Sequence, residues 1–153
     1  MYFQLRKDTD KWFKGVAGHY ATKFDLYYLC LMVGFAAHRK AKAESSEVTD
    51  LTDDYPKEFK SRGRLLVALL VNTELSSMGI DLDERDAVYR EIARLIAPDS
   101  RSYLTDEGMR LMNQYAHGGF GALCEHFEDR PRTIETFIRE YAGFIDDLQK
   151  SSV

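Results

Sequence analysis

The chain has 153 residues, 44% hydrophobic and 30% charged, so it is long enough to bury a core and too apolar to stay disordered. Only 10 Gly and 3 Pro leave little material for a loop-rich sandwich or barrel, and the longest apolar run, Leu26–Ala37, is short of a membrane-spanning helix. The formal net charge of −4 is uneven: residues 1–64 carry 12 Lys and Arg against 9 Asp and Glu, and the remainder 9 against 16. A basic front and an acidic back can orient a chain on a partner.

The amino terminus is interrupted by charges and lacks the apolar centre of a signal peptide. Cys30 and Cys124 provide no disulfide framework, so a reducing, cytoplasmic location is the expectation.

In chain order, Trp12, Phe13, Val16 and Ala17 fall at helical spacing, while Gly15 and Gly18 weaken a helix there. Residues 1–20 therefore read either as a short helix or as an arm ordered by docking. Thr22 and Asp25 form a start signal for the next helix, which is apolar nearly all round from Phe24 to Ala37. Such a helix belongs at the centre of a fold or is shared with a partner. Residues 43–55 read as an exposed acidic connector. Pro56 then opens a helix reaching about Ser77, with Gly63 as a division and Phe59, Leu65, Leu66, Ala68, Leu69, Leu70 and Val71 expected inside.

A short helix over Asp83–Ile96 is expected to bury Val88, Tyr89, Ile92, Ala93 and Ile96, and Pro98 ends it. Leu104–His117 is the next, with Gly118, Gly119 and Gly121 interrupting it. The last helix starts at Pro131, and Ile134, Phe137, Ile138, Tyr141, Phe144, Ile145 and Leu148 repeat at three- and four-residue steps, the pattern of one packed face. The whole predicts an all-α fold: a single domain over residues 1–153, a compact bundle of five or six short helices. A minor two-stranded excursion near Ser100–Tyr103 is compatible with it.

The chain offers few residues for chemistry. His117, Cys124 and His126 are the nearest approach to a metal cluster, but glycines separate the first from the others, and His19, Cys30 and His38 lack ligand spacing. Cys124 and His126 point in different directions on a helix, which a nucleophile and its base cannot do. The stretch Gly118-Gly119-Phe120-Gly121 lacks the Lys-Ser/Thr of a phosphate loop, and Asp81, Asp83, Glu84 and Asp86 lack the Gly and terminal Glu of a calcium loop. No catalytic residue, metal ligand or cofactor is assigned.

The expected activity is therefore contact: a non-catalytic structural or adaptor subunit that joins a protein partner or a second copy, without a membrane. Candidate contact residues are Trp12, Phe13, Tyr27, Tyr28, Asn113, Tyr115, Phe137, Tyr141 and Phe144, because these side chains together exceed what six short helices can cover. The alternative is nucleic-acid binding through Lys7, Lys11, Lys14, Arg39, Lys40, Lys42, Lys57, Lys60, Arg62 and Arg64, the cations of the basic front.

The strings Phe24-Asp25-Leu26-Tyr27-Tyr28 and Met112-Asn113-Gln114-Tyr115-Ala116, set in a short helical organisation, resemble small helical accessory subunits of bacterial defence or DNA-processing complexes. The resemblance lies in architecture and carries over no site residues. It implies a role in a multiprotein assembly, antiviral defence among the settings, beside a larger ATPase or nuclease.

Overall fold

The computed structural model describes residues 1–151. Among these, strand β1 (Phe3–Arg6) runs directly into helix α1 (Lys7–Trp12), followed by α2 (Lys23–Ala36), β2 (Val48–Thr52), α3 (Gly63–Ser77), α4 (Arg85–Leu95), α5 (Asp106–His126) and α6 (Ile134–Ser151). Short 3-10 turns occupy Ala17–His19, Ser45–Glu47 and Lys57–Arg62. The fold is mainly helical, as expected, with β1 and β2 paired in a two-stranded sheet. That strand pair falls in segments read above as an arm and a connector. Near Ser100–Tyr103 there is only an isolated antiparallel bridge between Ile96 and Leu104.

Internal contacts divide the chain into two units, Met1–Phe3 with Thr52–Asn113, and Gln4–Leu51 with the chain from Gln114 onward. The first unit is built on α3 and α4, which pack on each other. Residues 65–71 are apolar at every position, so sequence cannot choose an inward face, and packing selects Leu66, Val67, Leu70 and Val71. Leu65, expected inside, is 59% exposed, and Ala68 is exposed as well. The α4 expectation needs the same correction. Tyr89 is 65% exposed and Ala93 is exposed, whereas Glu91 and Leu95 are buried. Glu91 goes inward because Arg94 satisfies its carboxylate at 2.6 Å while reaching Glu107 at 2.7 Å, and a buried carboxylate needs such pairing.

The second unit is built around α2. Thr22 and Asp25 close a capping box, the Thr22 amide donating to Asp25 Oδ2 at 2.9 Å. The helix buries Phe24, Leu26, Tyr27, Cys30, Leu31, Val33, Gly34 and Phe35. The expected break at Gly118–Gly121 is absent, and α5 continues through it to His126. Each helical glycine costs roughly 1 kcal/mol of propensity. Here the missing side chains let the α2 and α5 backbones touch: a Cβ on Gly119 would drive into the Cys30 carbonyl, and one on Gly34 into the Tyr115 carbonyl. The close approach offsets the propensity loss.

Trp12, Phe13, Phe120, Phe127 and Phe137 form one ring cluster beside these helices, with centroid separations of 4.8–6.3 Å. Residues Trp12, Phe13 and Val16 are thus core of this chain. Helix α6 begins at Ile134 rather than Pro131, its first turn capped by Thr133 Oγ1, which accepts from the Thr136 amide at 3.4 Å. Of its apolar face, Phe137 is fully buried, Tyr141, Phe144, Ile145 and Leu148 are half-buried, and Ile138 is 54% exposed.

Candidate functional site

Most of the proposed contact residues lie inside the chain's own units. Trp12, Phe13, Tyr27, Asn113, Tyr115 and Phe137 are buried, which leaves only Tyr28, Tyr141 and Phe144 half accessible. Tyr141 donates its hydroxyl to the Leu29 carbonyl at 2.6 Å, and Phe144 stacks on His126 with centroids 4.0 Å apart. In the first unit, Asn113 donates to the Tyr2 carbonyl at 3.0 Å. These are stabilising contacts within each unit.

The basic residues fall in both units. Lys7, Lys11, Lys14, Arg39, Lys40 and Lys42 belong to the second unit, and Lys57, Lys60, Arg62 and Arg64 to the first. Arg39 is clamped by Glu125 through two bonds of 2.6 and 2.8 Å, which raises its already high pKa. Lys40 lies over the Tyr115 ring, Lys60 is 3.6 Å from Asp54, and Arg62 lies over Phe59. Lys7, Lys11 and Lys14 are exposed; Lys7 and Lys11 stand one turn apart on α1, and Lys14 lies in the turn after it.

His117, Cys124 and His126 are separated by environment although α5 is continuous. His117 is buried, and the other two are exposed. Desolvation, then the positive charge of Arg6, push His117 down to about 4, so it is neutral near pH 7. Burial raises the Cys30 thiol far above its ordinary range and, more mildly, that of Cys124, where the Asp8 carboxylate adds to the effect. Protonated thiols are poor nucleophiles. No group of three His, Cys, Asp or Glu among the described residues is placed to hold a metal ion.

Besides a concavity of about 250 Å³ between Asn72 and Leu82, two concave surfaces stand out among the described residues. The larger, about 600 Å³, surrounds the loop between α5 and α6 and mixes charges of both signs, Glu128, Arg130, Arg132 and Glu140 among them. The second, about 280 Å³, lies within the first unit and is lined by Arg64, Val67, Ala68, Ile96, Pro98 and Tyr103. Of its lining residues, sequence reading named only Arg64 as a candidate for contact.

Its construction is unusual. Tyr103 has φ = 64°, a left-handed conformation that strains a bulky residue by about 1–2 kcal/mol. The surroundings hold it there. The Tyr103 carbonyl accepts from the Ala97 amide at 2.9 Å, its ring stacks on Tyr55 at 6.2 Å, and the Arg64 guanidinium lies 5.6 Å from the ring centroid. Tyr55 is itself locked by donating to the Ser102 carbonyl at 2.9 Å, and burial raises its phenol well above the ordinary range. Its ring lies against Gly63, where a Cβ would stand 2.7 Å from two ring carbons.

An exposed apolar residue adjoins the groove: Leu65 stands one turn before Ala68 on α3. On α4, Tyr89 and Ala93 are exposed one turn apart. No helix of the described residues is long and apolar enough to cross a membrane. Comparison with protein families, curated proteins and solved structures found no match.

Proposed function

We propose that this chain is a non-catalytic structural or adaptor subunit that acts through protein–protein contact in a larger assembly. The observation that supports the reading is the apolar groove of the first unit, with Tyr103 held in a strained conformation at its wall and Leu65 exposed on α3, the helix that lines it. Grooves with an apolar floor and an Arg–Tyr rim suit a partner's side chain, because both residue types are enriched among the strong contributors to interfaces. The ionisable groups elsewhere point the same way: Arg94 with Glu91 and Glu107, Arg39 with Glu125, and Arg6 with Asp8 are engaged in structural pairs.

The experiment is light scattering on size-exclusion fractions at several concentrations, combined with co-purification from the native host. The expected result is a stable partner or a concentration-dependent oligomer. A strictly monomeric chain that retains no partner overturns the reading.

Nucleic-acid contact is the second reading, supported by the exposed Lys7, Lys11 and Lys14, for which no ion pair is formed among the described residues. Fluorescence anisotropy with single-stranded and duplex probes across a salt series tests it, since phosphate contacts weaken steeply as salt rises. Absence of salt-sensitive binding at low ionic strength rejects it.

A further inference from the structure

We infer that the groove of the first unit receives a partner segment in which a bulky apolar residue stands beside Asp or Glu. The inference rests on the protein-contact reading above and names the chemistry of the partner. The floor, made by Val67, Ala68, Ile96 and Pro98, presents no hydrogen-bonding side chain, so an apolar group gains most by filling it. Leu65, exposed one turn away, extends that surface past the mouth.

The one charged residue that lines the groove is a cation, Arg64. Arg64 is exposed and forms no ion pair among the described residues; the ring of Tyr103 is what positions it. A guanidinium stacked on an aromatic ring keeps its in-plane donors available for a carboxylate. The charge next to an apolar floor therefore complements an acidic, apolar peptide. Nucleic acid would meet the same cation, but the Tyr103 ring is engaged by Arg64 and Tyr55 rather than left open for a base to stack on.

The test is selection of a phage-displayed library of random dodecapeptides on the full chain, with the Ala68→Trp variant as counter-selection target. Ala68 is exposed, so the indole fills the groove mouth without entering the core, and thermal melting of the variant checks this. Peptides retained by wild type and lost with Ala68→Trp are expected to carry a large apolar residue next to Asp or Glu. A labelled peptide from that pool should bind roughly tenfold more weakly to Arg64→Glu, since reversing a charge at a contact weakens a complementary partner. Peptides retained equally by Ala68→Trp, or pools without acidic enrichment, overturn the inference.

Two further outcomes also overturn it. One is salt-sensitive binding of an oligo-dT probe that Arg64→Glu removes and Ala68→Trp leaves intact. The other is concentration-dependent self-association that only Ala68→Trp abolishes. The two readings fail separately. A native partner held equally by wild type and Ala68→Trp sinks the groove but not the adaptor role; selected groove peptides without any native partner do the reverse.

Discussion

At the scale of single residues, His117 and the α2–α5 glycines show how burial converts ordinary side chains into structural constraints. His117 is held neutral because desolvation and the Arg6 charge depress its pKa to about 4, against an ordinary 6.5. The unfolded chain therefore binds a proton that the folded chain refuses. Stability from this site is complete above pH 6.5 and is lost as the pH falls toward 4, by up to about 1.4 kcal/mol per pH unit. Denaturant titrations should show His117→Gln with a shallower loss than wild type between pH 6.5 and 5; equal slopes contradict the assignment. Gly119→Ala should destabilise by about 3 kcal/mol or more, because the clash is with backbone at Cys30. Gly143→Ala is the control. Its Cβ would meet nothing within 4 Å, so the α6 propensity gain of roughly 0.5–1 kcal/mol should appear. Both are read from urea midpoints, and a mild Gly119→Ala effect would contradict the close approach of α2 and α5.

At the scale of elements, α6 separates pattern from packing. Its three- and four-residue repeat marks Phe137 and Ile138 alike as apolar, yet Phe137 is 1% exposed and Ile138 54%. Phe137→Ala should cost about 3–5 kcal/mol, the usual loss for a buried aromatic, while Ile138→Ser should stay within about 0.5 kcal/mol. Tyr141→Phe removes the bond to the Leu29 carbonyl and should cost about 1 kcal/mol. Thermal melts rank the three, and Ile138→Ser as damaging as Phe137→Ala would show that the exposed side of α6 is covered. The start of α2 was legible at this scale, since Thr22 and Asp25 form a local capping box. The continuity of α5 was not. Three glycines in four residues read as a break, and only their contact with α2 makes them part of a helix.

At the scale of the whole molecule, the mainly helical class follows from apolar periodicity, but the accessible surface does not. Residues chosen for contact because they are aromatic, such as Trp12, Tyr27 and Tyr115, lie in the core, since large rings gain most from burial. Leu65, Ala68 and Tyr89, residues that a helical pattern assigns inward, are exposed instead. A Leu65→Ser, Tyr89→Ser double variant should melt within about 0.5 kcal/mol of wild type, as exposed sites usually do. If these side chains meet a partner, the variant should also recover less of it in co-purification. A large fall in stability would place these side chains in a core instead.

By itself the sequence determined that the chain is mainly helical, where α2 begins, and that Gly63 divides the segment between Pro56 and Ser77. These features are local: periodicity and capping act within a few residues. Only the tertiary structure decided that α5 runs unbroken, that β1 pairs with β2, which helix faces turn inward, and that Tyr103 strains to wall an apolar groove. Each depends on residues distant in the chain meeting at contact distance, where a missing Cβ or a shared hydrogen bond outweighs the local preference.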